Sequence, residues 1–326
     1  MPTHAQLVIA HRGASGERPE HTLASYERAI DAGADFIEPD LVPTKDGVLV
    51  ARHENEISGT TDVAAHGEFA ARRKTVTIDG EPLTGWFTED FTLAELRTLR
   101  ARERLPALRP ANTRFDGLWQ VPTFAEVLSL VRAKEAETGR RIGIYPEIKH
   151  PSWFAAKGID TPALLLKMLD EAGYRTADDP VFVQSFEAGT LERLRPLTRL
   201  RLVQLMANEG SPPDRPGTPF AMMASPAGLA KLARSVDAIG VETAMVIDEA
   251  GRPTPLVATA HAAGLKVHVW TLRCENAFLP PIFQQGGEPA AKGDCAGAWR
   301  ALAAAGVDGV FTDNPREAHA ARSANR

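Results

Sequence analysis

The sequence predicts one (β/α)8 TIM barrel spanning 1–326, with a cap segment inserted after a β-hairpin in one of its βα loops. Three observations predict it. A phrase of helix, small residue, Gly and short apolar strand recurs as "AIDAGADFIEPD", "AAGLKVHVWTL" and "AAGVDGVFTD", with a looser copy in "LDEAGYRTADDPVFVQS". Its Gly suits a helix C′ position, where φ is positive. Eight apolar runs, ending near His11, Asp40, Lys149, Gln184, Leu205, Glu242, Thr271 and Thr312, alternate with helical patterns, as parallel strands joined by helices require. The length of 326 residues, with 44% hydrophobic and 24% charged residues, fits a globular chain with one sizeable core. An open doubly wound sheet is the alternative, but no Gly-rich dinucleotide turn is present.

Taken in order, the first strand is "LVIA", and "HRGASGERPEHT" follows it at once, crowding ionisable groups onto a strand end. The second strand continues into "EPDLVPTKDGVLVARH", two apolar runs with no room for a helix between them. Its "KDG" signals a hairpin turn at Lys45-Asp46-Gly47. Facing residues then have numbers summing to about 91, which brings His53 opposite Glu38. Residues 54–118 are polar and irregular, with one short helix at "TLAELRTL", and read as the insertion. Thr92 with Glu95 and Thr123 with Glu126 fit capping boxes. Thr161-Pro162, Ser225-Pro226 and Thr254-Pro255 read as N-caps with Pro at N1. Further long loops, "NEGSPPDRPGTP" and "NAFLPPIFQQGGEPAAKGD", follow the fifth and seventh strands on the face where barrels place their sites. "EAHAARSANR" reads as a short tail.

Composition narrows the function. A net charge of −5 offers no basic field to nucleic acid. No run reaches the ~18 apolar residues of a membrane span, so no stable membrane insertion is expected. "MPTHAQLVIAHRG" shows no charged n-region or long h-region. The expected location is therefore cytoplasmic for the sequence as given, or periplasmic or secreted if a leader was removed. Cys274 and Cys295 lack metal-like spacing and read as two buried or free thiols, with a single disulfide as the alternative.

The chemistry gathers at strand ends. Glu38 and Asp40, two apart on a strand, share a face. Like charges so placed need a cation between them, although an exposed acidic pair is the bland alternative. "YPEIKH" repeats the arrangement with Glu147 and Lys149. Three carboxylates from adjacent strands would suit a hard divalent cation, Ca²⁺ or Mg²⁺. His11 ends the first strand and His53 returns beside the second. Either alone would be a core or capping histidine, but together at a metal site they can take and give a proton. Arg12 presents a planar fork for phosphate oxygens and Lys149 a second cation. The set suits phosphodiester cleavage, in which charge builds on phosphoryl oxygens.

The ordered motifs "AHRGASGERPEHT", "FIEPDLVPTKDGVLVARHENEI", "YPEIKHP", "FVQSFE", "VHVWTLR" and "GVDGVFTDNP" resemble those of the glycerophosphodiester phosphodiesterase family over nearly the whole chain. "PEHT" and the long insertion resemble the branch that includes bacterial periplasmic enzymes. The resemblance implies metal-dependent hydrolysis of small glycerophosphodiesters to sn-glycerol 3-phosphate and an alcohol. It makes His11 and His53 the acid/base pair, Glu38, Asp40 and Glu147 the metal ligands, and Arg12 and Lys149 the phosphate-holding groups. It also places Glu20 near the site, where the alternative is a helix N-terminal acid favoured by the dipole. Gln184, Phe186 and Trp270 would line the pocket, Trp270 having barrel packing as its alternative. Asn314 would touch substrate or make the turn before Pro315. Many family members carry Asn where this chain has His21, so His21 receives no catalytic role. Pro39, between the two metal carboxylates, implies a sheet edge or bulge. His268 shares a face with Trp270 and reads as a packed core histidine.

Two other readings share these features. A phospholipase D-like or phosphoinositide-type phosphodiesterase would use the same groups but needs an apolar rim. The basic run at Ala71 to Lys74 could touch lipid, but such a run is ordinarily a solvated face. A non-enzymatic barrel binding a partner through its insertion is the other reading.

Overall fold

Thirteen strands carry the architecture of the computed structural model, which describes residues 6–324. They are β1 (Leu7–His11), β2 (Phe36–Glu38), β3 (Asp40–Pro43), β4 (Leu49–Ala51), β5 (Lys74–Ile78), β6 (Glu81–Gly85), β7 (Gly143–Ile144), β8 (Glu147–Ile148), β9 (Phe182–Ser185), β10 (Arg201–Met206), β11 (Ala238–Glu242), β12 (Lys266–Leu272) and β13 (Gly309–Thr312). All but β5 and β6 form one sheet, and every pairing in it is parallel except β3 with β4. β1 pairs with β2 on one side and β13 on the other, so the sheet closes on itself. β2 and β3 act as one barrel strand interrupted at Pro39, and β7 and β8 as another interrupted at Tyr145-Pro146. The interruption at Pro39 follows from its missing N–H. Its carbonyl still accepts from the Glu147 N–H at 2.9 Å, so the wall stays continuous.

The barrel interior is filled by Ile9, Phe36, Tyr145, Phe182, Val203, Ala238 and Phe311. Tyr145 stacks on Phe182 at 4.9 Å and bonds His268 Nδ1 through its hydroxyl at 2.6 Å. His268 is therefore a core residue, as expected. Gly143 lets the Phe36 ring lie against the backbone, since a Cβ there would come within 2.2 Å of that ring. A larger apolar cluster lies between the sheet and the outer helices. Among the described residues, no helix is long and apolar enough to cross a membrane.

Both capping boxes form, Thr92 with Glu95 and Thr123 with Glu126, and Ser225 caps as expected. Two other caps shift. Asp160 caps helix Thr161–Glu171 by accepting from Ala163 N, because a carboxylate one residue upstream outcompetes the Thr161 hydroxyl. Helix Leu256–Ala262 begins after Pro255, while the Thr254 hydroxyl bonds the Met245 carbonyl at 2.6 Å. The hairpin pairs Leu41 with Ala51 and Val42 with Val50, within one residue of the expected register. An Arg52 N to Asp40 O bond of 3.0 Å extends the pairing and returns His53 beside the Glu38–Asp40 segment.

The insertion is more ordered than its sequence implies. It contains the β5/β6 hairpin, and Ile57, Val63, Phe69, Trp86, Phe91, Leu96 and Leu99 pack with Val42, Val50, Val121 and Phe154 into a small core of their own. The basic run is spent internally. Arg72 lies over Phe69 and Phe91 and donates to the Asp90 carbonyl, Arg73 lies over Trp86, and Lys74 pairs with Asp90. Two other expectations are corrected. Residues Pro315–Ala324 form a helix, held by Arg322 to Asp35 and the Gln6 carbonyl, so the tail reading fails up to the described limit. Cys274 and Cys295 form a disulfide, which pins the long loop after β12 to the start of helix Cys295–Ala304. Sequence spacing carried no sign of that proximity, because the loop's fold creates it.

Candidate active site

A cavity of about 640 Å³ opens at the C-terminal ends of the barrel strands. His11, Arg12, Glu38, His53, Glu147 and Lys149 all line it. The turn after β1 delivers the first two. Arg12 sits in the left-handed region at φ 59°, followed by Gly13 at φ 89°, where a Cβ would strike Ser25 within 2.8 Å. That reversal lets the Arg12 N–H donate to Glu38 Oε2 at 2.9 Å while its guanidinium turns back to Asp40, Nε to Oδ2 at 3.3 Å.

Glu38, Asp40 and Glu147 each offer an oxygen within 4.8 Å of the others, and all three are buried. Around them, Lys149 Nζ lies 2.7 Å from Glu147 and 3.6 Å from Asp40, and Gln184 Nε2 donates to Glu38 Oε1 at 3.0 Å. His21 Nε2 bonds Asp40 Oδ2 at 2.9 Å, and its Nδ1 is fixed by the Tyr26 hydroxyl at 2.6 Å. His21 thus orients a proposed ligand, a role its sequence position did not reveal. Burial, then repulsion from Asp40, pushes the Glu38 carboxyl well above its ordinary range, and burial raises Glu147 to about 8. Asp40 goes the other way. Burial opposes its charge, but Lys149 and the His21 hydrogen bond hold it well below the ordinary range. Asp40 Oδ1 has no hydrogen-bond partner. A buried, oxygen-only cluster short of positive charge fits a hard divalent cation.

Each histidine is backed by a carboxylate. His11 Nδ1 meets Asp313 Oδ1 at 2.6 Å, and Asp313 Oδ2 accepts from Arg109 Nη2 at 2.6 Å and Arg273 Nε at 2.9 Å. Arg109 also binds Glu275 at 2.6 Å and the Ser15 carbonyl at 3.0 Å. His53 Nδ1 meets Glu54 Oε1 at 2.6 Å, and Arg104 binds Glu54 at 2.7 and 2.9 Å and Glu20 at 2.6 and 2.7 Å. With Nδ1–H donated to the carboxylate, each ring leaves Nε2 free as a base. Burial, then Arg12, lowers His11 to about 4. Burial, then Arg12 and Lys149, lowers His53 to about 3.

Of the other expected residues, Phe186 and Trp270 meet edge to face at 5.8 Å on the cavity wall, and Gln184 lines the cavity while holding Glu38. Glu20 is not a helix N-terminal acid, because Thr22 caps the helix that starts at Leu23. It bridges Arg104 and Arg12, the latter at 3.2 Å. Asn314 is buried, does not line the cavity, and stands before helix Pro315–Ala324, its carbonyl accepting from Ala318 N at 3.1 Å and its Oδ1 from Cys274 N at 3.1 Å. Sequence reasoning missed Glu54, Arg104, Arg109, Arg273, Glu275 and Asp313. Glu54 directly follows His53 and Asp313 precedes Asn314 at a strand end, so both were visible as acids beside a site. The arginines of the insertion carried no signal.

The sequence profile of the glycerophosphoryl diester phosphodiesterase family matches residues 11–317. The chain belongs to this family. It is thereby a phosphoric diester hydrolase. It is 36% identical over 331 residues to a glycerophosphodiester phosphodiesterase of Arabidopsis thaliana, covering 96% of this chain and 85% of that one. It is 32% identical over 340 residues to one of Haemophilus influenzae, covering 95% and 88%. The barrel superposes on an Oleispira antarctica phosphodiesterase solved with the product sn-glycerol-3-phosphate, with TM-score 0.64, 20% identity, and 98% and 97% of the two chains covered. Family members share this barrel, and the site just described occupies its mouth.

Proposed function

We propose that the chain hydrolyses glycerophosphodiesters to sn-glycerol 3-phosphate and an alcohol. In this reading His11 and His53 are the acid/base pair, and Glu38, Asp40 and Glu147 hold one Mg²⁺ or Ca²⁺. The observation that carries it is two carboxylate-backed histidines opening onto one cavity with a buried oxygen triad. A bound divalent cation supplies charge neutralisation at the phosphoryl oxygens. Arg12 and Lys149 hold those oxygens from the protein side. One imidazole Nε2 takes a proton from water as its oxygen bonds phosphorus, and the other histidine, protonated, gives one to the alcohol oxygen as the phosphorus–oxygen bond to the alcohol breaks. The product seen with the Oleispira relative supports the same small-molecule class.

The test is turnover of glycerophosphocholine and glycerophosphoethanolamine by the purified protein. Exhaustive chelation should abolish it, and Mg²⁺ or Ca²⁺ should restore it. Absence of turnover on both substrates, or full activity in metal-free protein, would refute the reading. The Cys274–Cys295 bond further supports an oxidising compartment as the working location. Free thiols in protein taken from the native cell under acid quench would overturn that.

A further inference from the structure

The insertion reaches the mouth of the barrel through one loop, and that loop brings two arginines. Arg104 is bonded to Glu54, which orients His53, and Arg109 is bonded to Asp313, which orients His11. Arg109 is buried and Arg104 half-buried, at 6% and 27% side-chain exposure, and both are used twice. Arg104 forks onto Glu20 as well as Glu54, whereas Arg109 forks onto Glu275 and donates to Asp313 from Nη2 alone. The loop is itself fixed. Glu103 accepts from Leu105 N at 2.8 Å and from Asn112 at 2.9 Å, and Asn112 also donates to the Ser15 carbonyl, which Arg109 touches too.

This is more than packing. Other basic side chains of the insertion, such as Arg72 and Lys74, are spent within it. Arg109 instead leaves the insertion for Asp313 and Glu275, and Arg104 leaves it for Glu20 while gripping Glu54 at its first residue, so that both arginines end on the carboxylates that carry the histidines. Arg104 grips both oxygens of Glu54, and Arg109, forked onto Glu275, holds Asp313 Oδ2 beside Arg273. A carboxylate held by guanidinium groups is fixed in orientation, which fixes the hydrogen bond it accepts from the imidazole.

We propose that Arg104 and Arg109 are positioning residues for the two histidines, so that one loop of the inserted segment sets both proton-transfer groups. This rests on the reading of His11 and His53 as the acid/base pair. Each arginine acts through its own histidine. Arg109 works on His11 alone, with Glu275 as its second anchor. Arg104 works on His53, and through Glu20 it also steadies Arg12, which faces phosphate.

The test is a set of double-mutant cycles with glycerophosphocholine as the probe substrate. Arg104→Ala and Arg109→Ala should each lower kcat by roughly 10- to 100-fold, the scale seen when a group that orients a functional histidine is lost. Arg109→Ala should leave KM within about threefold, whereas Arg104→Ala should raise it, because Arg12 loosens. In a His11→Ala background the Arg109 effect should nearly vanish while the Arg104 effect persists, and the reverse should hold in a His53→Ala background. Arg102→Ala, which removes only a surface pair to Asp116 in the same segment, should leave kcat unchanged. If Arg→Ala protein fails to fold, Arg104→Lys and Arg109→Lys keep the charge but lose the fork and should show the same crossed pattern more weakly. Losses that are equal in both histidine backgrounds would overturn the proposal and make the arginines general supports of the insertion. Loss of turnover is expected already in His11→Ala and His53→Ala; if those two variants are fully active, the acid/base reading fails separately.

Discussion

The two histidines sit in unequal surroundings. His11 belongs to the barrel wall, with 11% side-chain exposure, and its partner Asp313 has 3% and is held by two arginines. His53 belongs to the return of the hairpin, with 30% exposure, and its partner Glu54 is equally open and held by one. Both imidazoles are lowered below their usual value by burial and Arg12. The difference teaches that the same His–carboxylate–Arg chain can be built on a buried carboxylate at a barrel strand end or on a half-exposed one beside the hairpin. The buried version leaves less for water to replace.

The largest effect that would test this contrast is loss of the rings themselves. His11→Ala and His53→Ala should each reduce kcat by ~10²-fold or more, measured at saturating substrate. The double variant should approach the product of the two losses, because each ring serves its own proton; a loss well short of that product would show that they act as a unit. Next comes the contrast proper. Asp313→Asn should cost more in kcat than Glu54→Gln, by about tenfold, because water can serve the exposed His53 and cannot reach behind His11. Equal losses would break the comparison.

The pH dependence sharpens it. Both histidines titrate in the folded chain at about 4 and about 3, below the unfolded value near 6.5. Below pH 6.5 the unfolded chain takes up protons that the folded chain refuses, so stability falls from there down through the folded values. His11→Phe, which removes one such group, should flatten the fall in Tm between pH 6.5 and 4. The acid limb of kcat/KM, which reports the free enzyme, should lie below 6.5.

A smaller effect concerns the staple. Arg273 and Glu275 flank Cys274, and both serve the His11 side. Cys274→Ser with Cys295→Ser should cost roughly 3 kcal/mol on the chain-entropy account, read by urea unfolding, and should affect kcat only through the His11 half. Smallest of all, Lys167→Ala removes an exposed pair to Glu171 on an outer helix and should shift stability by no more than about 0.5 kcal/mol.

The barrel and the groups at its mouth were legible because strand ends are local. His11, Glu38, Asp40, Glu147 and Lys149 announce themselves as charge at the close of apolar runs, and period two puts them on one face. What escaped was long-range. Asp313 reaches His11 only when the sheet closes, and Arg104 and Arg109 lie in a segment with no periodicity to fix their direction. The core of the insertion was hidden for the same reason, since Phe69, Trp86 and Phe91 are scattered among polar residues. The disulfide depended on how a loop of many prolines and glycines folds back. His21 was given no catalytic role because many family members carry Asn at that position, yet its φ of 52° swings the ring onto Asp40.

The hydrogen bond between His11 and Asp313 joins residues 302 positions apart. During synthesis, the first half of that pair leaves the ribosome early and waits for nearly the whole chain to follow. A nascent or C-terminally clipped polypeptide can own every residue of the oxygen triad and still have an unaligned imidazole. Ring closure, a slow and non-local event, is therefore the moment at which the barrel aligns the His11 imidazole. Activity then reports completion of the circle as well as presence of the residues.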